Sequence, residues 1–155
     1  RGRRDVPDVA CFSGSEGLEA MLARTDILVC LLPLTSETKG LLSAPLFAKL
    51  STDGKRHPSL GGPHLVNAAR GGVQNEADIL VALDSGGLAS AVLDVFGTEP
   101  LPQDSPLWTH PKITVTPHNA AMSSADAIAA LVGQQIRAIE GGEKLRHVVE
   151  RRRGY

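Results

Sequence analysis

Four polar residues follow runs of apolar sequence in a fixed order: Arg70, Asp94, Glu99 and His118. Arg70 closes a stretch, residues 65–72, in which small and apolar residues lead to one arginine and two glycines release it. Such a stretch reads as a buried parallel strand emptying into a loop at its carboxyl end, the edge where open α/β sheets hold ligands. A guanidinium placed there can grip a carboxylate with two parallel hydrogen bonds. A carboxylate within reach of a histidine favours imidazolium and fixes its orientation, so Glu99 and His118 can deliver a proton near neutral pH. The set suits reduction of a carbonyl next to a carboxylate. Arg70 would hold the acid group, His118 would protonate the forming alkoxide, and Glu99 would tune His118. The hydride must come from a cofactor, because no side chain supplies one. Each residue alone has a plainer reading: Arg70 as a solvated charge, Asp94 as a turn former, Glu99 as the turn residue before Pro100, His118 as a cap or structural histidine. Their order along one sheet edge sets them apart.

The elements that must place these residues alternate along the chain. Residues 9–12 are a short strand candidate, and Ser13 or Ser15 can cap a helix to about Arg24 with Leu18, Met21 and Leu22 on one face. Residues 27–32 are six apolar residues in a row, the mark of a strand buried on both faces. Pro33 ends it, and a hydroxyl-rich loop follows. Ser43 is read as the cap of a short helix to about Leu50, with Pro45 in its first turn. Residues 51–63 form a turn-rich loop in which His57 and His64 read as solvated. Asn75 caps the next helix with Asp78 at its third position, Ile79, Leu80 and Leu83 face inward, and Gly86-Gly87 stop it. Residues 91–96 and 113–115 are the last strands, separated by a proline-rich loop. Residues 123–140 form an amphipathic helix with Ile128, Leu131, Val132 and Ile136 at helical spacing, ended by Gly141-Gly142. Alternating strands and helices predict an α/β fold with a parallel sheet.

Composition narrows the function classes. Sixteen basic and 17 acidic residues give a net charge of −1, which argues against a strongly electrostatic nucleic-acid binder. No run of about 18 apolar residues exists, so no membrane partner is expected. The two cysteines suggest no disulfide framework, Cys30 reads as a small hydrophobe, and a reduced cytoplasmic setting is the default. His57 and His64 have no companion at metal-ligand spacing, and no metal is expected.

Several segments together carry a family resemblance: Leu32-Pro33-Leu34-Thr35-Ser36-Glu37-Thr38, Asn67-Ala68-Ala69-Arg70-Gly71, Leu93-Asp94-Val95-Phe96-Gly97-Thr98-Glu99-Pro100, Pro106-Leu107-Trp108 and Thr116-Pro117-His118. On these the chain resembles the cofactor-binding portion of the D-2-hydroxyacid dehydrogenase family. The His118-Asn119-Ala120-Ala121 run and the closing residues 150–155 are similar to its glyoxylate/hydroxypyruvate reductase branch. The resemblance implies a Rossmann-like, doubly wound parallel sheet. It is incomplete: the first two strands, the glycine-rich fingerprint and a substrate domain are expected upstream, and no GxGxxG occurs in the chain. Residues 1–121 would be a partial NAD(P)-binding domain, and residues 122–155 a helix and tail packing toward the substrate domain. The loop at residues 51–63 is longer than the family's usual turn.

By the same resemblance Arg70, Glu99 and His118 are the catalytic trio, with Arg70 and Trp108 near the substrate. Leu32, Pro33, Thr38, Asn67, Ala68, Asp94 and Ala120 would line the cofactor. Arg1 falls where the family's second strand ends, and an acidic residue at that point would repel a 2′-phosphate. Arg1, Arg3 and Arg4 stand there instead, so NADP(H) is expected over NAD(H), with Arg1 and Arg3 as phosphate ligands. The implied partner is a small 2-keto or 2-hydroxy acid, and the implied assembly of the complete protein is a cytoplasmic homodimer. A dinucleotide-sensing binding module and an inactive fragment are the alternatives.

Overall fold

Among the described residues, short apolar runs form four strands: β1 (Ile27–Cys30), β2 (His64–Asn67), β3 (Ser90–Leu93) and β4 (Ile113–Val115). They pair in parallel in the order β1-β2-β3-β4. Between and after them lie α1 (Gly14–Leu22), α2 (Ala44–Phe47), α3 (Glu76–Ser85) and α4 (Ala125–Glu140). This structure, a computed structural model, describes residues 7–51, 58–121 and 123–149. Among them no helix is long and apolar enough to cross a membrane.

The core lies on one face of the sheet. Leu28, Cys30, Leu65, Ala91 and Leu93 point into a single cluster with Leu22 of α1, Leu46 and Phe47 of α2, and Ile79, Ala82 and Leu83 of α3. Leu65, Ile79, Leu83 and Leu93 are each 0% exposed. Burial of a side chain of that size is worth about 1.5–3 kcal/mol, so these residues dominate the packing of helices onto sheet. Cys30 belongs to this core as a free thiol, and burial pushes its pKa up.

The helix signals resolve into different partners. Asn75 caps α3 as its spacing predicts, its side chain accepting from the Asp78 N–H at 3.2 Å, and Gly86 ends the helix in the left-handed region at φ 81°. Ser124 caps α4. Ser13 and Ser43 occupy cap positions but make no capping hydrogen bond. At α2 that task passes to Asp78, whose carboxylate accepts the Ala44 N–H at 2.8 Å and so ties the start of α2 to α3.

Three expectations are corrected. The run at residues 27–32 is not buried on both faces: the strand covers only Ile27–Cys30, in which Leu28 and Cys30 are buried while Ile27 and Val29 are more than half exposed. An unbroken apolar run shows that both faces tolerate burial, but whether a layer covers each face is a tertiary matter. Among the described residues, 9–12 add no strand to the sheet, and Val9 takes part in a single bridge. His64 is not a solvated loop residue. It opens β2, with Nδ1 2.7 Å from Ser90 Oγ and Nε2 3.1 Å from the Leu60 carbonyl. His57 lies outside the described residues.

α4 carries its apolar stripe as expected, yet none of its residues is buried, and Ile128, Leu131, Val132, Ile136 and Ile139 are all exposed. With Ile27 and Val29 of β1 and the following Leu31 exposed as well, two apolar surfaces face solvent. A protein made of these 155 residues and nothing else is therefore expected to aggregate, as exposed apolar patches and strand edges do. Sedimentation and thermal melting check this; a monodisperse, cooperatively melting preparation would contradict it.

Candidate active site

One row of ladder partners sets the level from which the candidate residues leave the sheet: Cys30 pairs with Asn67, Asn67 with Leu93, and Leu93 with Val115. Arg70, Asp94, Glu99 and His118 all follow these positions in the chain, so the parallel pairing puts their loops on one edge, as expected.

Glu99 and His118 meet directly. His118 Nδ1 donates to Glu99 Oε2 at 2.8 Å, since an ionised carboxylate can only accept. Glu99 Oε1 accepts the Phe96 N–H at 2.9 Å. The hydrogen bond from His118 is the largest influence on Glu99; with the Phe96 bond and the nearby charges of His118 and Arg70 it outweighs burial and holds the carboxyl below its ordinary range. Nδ1 is thus committed to Glu99. Nε2 has no hydrogen-bond partner among the described residues and is the nitrogen left to exchange a proton with a ligand.

Asp94 anchors the turn that presents His118. His118 sits at φ 53°, in the left-handed region that a non-glycine residue enters only at some cost. The buried Asp94 carboxylate accepts from Thr116 Oγ1 and from the Asn119 N–H (3.0 Å) through Oδ1, and from the Ala120 N–H (3.0 Å) through Oδ2. These bonds grip the turn on both sides of His118. Burial pushes the Asp94 carboxyl up, but the three hydrogen bonds and the nearby His118 outweigh it and hold the group below its ordinary range.

Arg70 stands exposed where Gly71–Val73 begins a single helical turn, with Nη1 donating to the Ala69 carbonyl at 2.6 Å. Gly71 is needed here for space. A Cβ at this position would lie 1.8 Å from the Phe96 carbonyl oxygen and 2.6 Å from the Gly97 nitrogen. The Arg70 turn therefore lies directly against the backbone that leads to Glu99.

The other candidates divide by burial. Leu32, Pro33, Ala68 and Arg70 line an open cleft of about 540 Å³ beyond β1 and β2. Thr38 braces that cleft, its Oγ1 donating to the Pro33 carbonyl at 2.6 Å and accepting the Thr35 N–H at 2.8 Å. Asn67 is wholly buried; its amide accepts from the Ala69 N–H at 3.1 Å and donates to Gln74 at 2.7 Å. Trp108 lines a second cavity of about 440 Å³ with Phe96, Glu99, Pro117 and His118, and its Nε1 donates to the Pro102 carbonyl at 2.9 Å. Arg1 and Arg3, the expected 2′-phosphate ligands, lie outside the described residues.

Two polar side chains absent from the sequence reading belong to this edge. Gln74 is buried and bonded to both neighbouring loops, and Glu76 accepts the Gly97 N–H at 2.7 Å. Both read in sequence as ordinary polar residues around a helix start. Gly71→Ala is expected to lower the melting temperature of the complete protein and to displace Glu99 and His118. Overpacking typically costs about 1–3 kcal/mol, and here the obstacle is backbone that cannot rotate aside. Thermal melting and a crystal structure of the variant check this; an unchanged melt would contradict the close approach.

Residues 4–120 match the family described as D-isomer specific 2-hydroxyacid dehydrogenase, NAD binding domain. The glyoxylate/hydroxypyruvate reductase A of Salmonella paratyphi B is 41% identical over all 155 residues, which make up 47% of that protein. The NADPH-dependent glyoxylate/hydroxypyruvate reductase of Sinorhizobium meliloti, solved with NADP and sulfate, superposes with a TM-score of 0.92 at 48% identity, over 100% of this chain and 48% of that one. A probable 2-hydroxyacid dehydrogenase from Rhizobium etli, solved with NADP, HEPES and L(+)-tartaric acid, gives a TM-score of 0.89 at 46% identity, over 100% of this chain and 47% of that one. The chain spans about half the length of the curated relatives it matches. The parallel sheet, the edge that gathers Arg70, Glu99 and His118, and the match over residues 4–120 agree: the chain belongs to the NAD-binding domain family of the D-isomer specific 2-hydroxyacid dehydrogenases.

Proposed function

We propose that the complete protein reduces a small 2-keto acid of the glyoxylate or hydroxypyruvate type to the 2-hydroxy acid with NADPH, and that this chain supplies the proton donor and the carboxylate anchor. The observation that carries the reading is the His118 Nδ1–Glu99 Oε2 bond of 2.8 Å on the sheet edge that Arg70 shares. Glu99 is held ionised, so it can support positive charge on the imidazole and keep the ring from turning. His118 Nε2 then delivers its proton to the carbonyl oxygen as that oxygen gains charge. Arg70 holds the substrate carboxylate and so fixes which carbonyl lies before His118.

The cleft beyond β1 and β2 fits a nicotinamide cofactor in kind: it is open and lined by Leu32, Pro33, Ala68 and Arg70. NADPH bound there supplies the hydride. NADP(H) is preferred to NAD(H) in this reading. Its supports are the basic residues Arg1 and Arg3 and the NADP found with the S. meliloti and R. etli proteins. The homodimeric, cytoplasmic state of the complete protein is carried by family resemblance alone.

Turnover of glyoxylate or hydroxypyruvate by the complete protein tests the reading, and NADPH binding without turnover would favour a dinucleotide-sensing module. Arg70→Lys is expected to lower kcat/KM for the keto acid by about 10²-fold while the NADPH dissociation constant is unchanged, because a point charge cannot reproduce the bidentate grip. Unchanged turnover would remove the carboxylate anchor. The Michaelis constant for NADPH is expected to be at least about tenfold below that for NADH, since hydrogen bonds between charged groups are worth about 1.5–3 kcal/mol. Equal constants would refute the preference.

A further inference from the structure

Gln74 is a buried polar side chain to which the reaction above assigns no task. The β2–β3 ladder stops at Asn67 and Leu93, with the Asp94 N–H donating to the Asn67 carbonyl at 3.0 Å. Beyond that level the two chains leave the ladder and enter the loops carrying Arg70 and Glu99, which touch where Gly71 packs on the Phe96–Gly97 backbone. Gln74 ties the two chains together with both ends of one amide: Oε1 accepts from Asn67 Nδ2 at 2.7 Å, and Nε2 donates to the Val95 carbonyl at 2.9 Å.

The bonds continue outward on each side. Asn67 Oδ1 accepts the Ala69 N–H at 3.1 Å, one residue before Arg70. Val95 precedes Phe96, whose N–H holds Glu99 Oε1 at 2.9 Å, and Glu99 Oε2 holds His118 at 2.8 Å. Only a group that accepts and donates at once closes this chain. An apolar side chain of equal length would leave Asn67 Nδ2 and the Val95 carbonyl buried without partners. Glu76 adds a second tie to Gly97 at 2.7 Å, and Gly71 packs on the Phe96–Gly97 backbone, so the loops stay in contact when the Gln74 link is cut, while the hold of its amide on Asn67 and Val95 is lost.

We infer that Gln74 is a positioning residue whose amide sets the spacing between Arg70 and the Glu99–His118 pair, and with it the alignment of the keto acid between anchor and proton donor. The inference rests on the function proposed above.

Two variants of the complete protein test it. Gln74→Met keeps the length and removes the bonds to Asn67, Val95 and Glu76. Its kcat/KM for glyoxylate is expected to fall by about tenfold or more, while the NADPH dissociation constant stays within about twofold, because misplacement acts on the reacting geometry. Gln74→Glu separates positioning from packing by pH. Protonated, the introduced carboxyl can accept from Asn67 and donate to Val95; ionised, it can only accept. Burial favours its protonated form, as does the facing Glu76 carboxylate, 3.5 Å from Gln74 Nε2; the Asp94 carboxylate is turned toward Thr116, Asn119 and Ala120. The ratio of variant to parent kcat/KM is therefore expected to rise as pH falls.

A Met variant within about twofold of the parent, an equal loss of NADPH affinity, or a flat pH ratio would each overturn the inference. If the Met variant does not fold, the pH ratio of Gln74→Glu decides. If the parent turns over no keto acid, the proposed function fails. The Gln74 link is then decided by the His118 imidazole resonances in the NMR spectrum of whichever variant folds, which shift if the link holds His118 and coincide with the parent's if it does not.

Discussion

A parallel ladder forces the carboxyl ends of neighbouring strands onto one edge, and here a single register row does so: Cys30, Asn67, Leu93 and Val115 stand level across the sheet. Residues separated by up to 48 positions in the chain, from Arg70 to His118, are thereby delivered to one place. A register slip of one residue would turn Leu65, Ala91 and Leu93 away from the helices and lose the site together with the core.

The ladder alone leaves the loops beyond it undetermined, and buried polar groups finish the task. Asp94 grips Thr116, Asn119 and Ala120 and so sustains the left-handed backbone at His118. Gln74 and Asn67 join the two loops that follow β2 and β3. Gly71 allows the Arg70 turn to touch the Phe96–Gly97 backbone, where a single added carbon has no room. Satisfied networks of this kind are rigid because the alternative is an unpaired buried group. Arg70 and His118 stand exposed at the outer side of this frame.

The same molecule leaves much apolar surface open. The outer side of β1 and the whole stripe of α4 face solvent, while the inner face of the sheet is densely packed. The chain is about half the length of the relatives it matches.

Much of this was legible from residue order. Apolar runs located all four sheet strands, Asn75 and Gly86 bounded α3, and the spacing of Arg70, Glu99 and His118 after those runs placed them on one edge, because in a parallel sheet chain order determines edge. Local chemistry suffices wherever the partner lies within a few residues, as with a helix cap. Tertiary structure alone decided the rest. It decided that Ile27–Cys30 is covered on one side, that His64 bonds Ser90 and Leu60, that Asp78 rather than Ser43 serves the start of α2, and that Gln74 is buried between two loops. In each of these cases the partner or the covering layer is set by packing between elements, and a polar residue has the same identity in sequence whether it faces water or closes a buried hydrogen-bond chain.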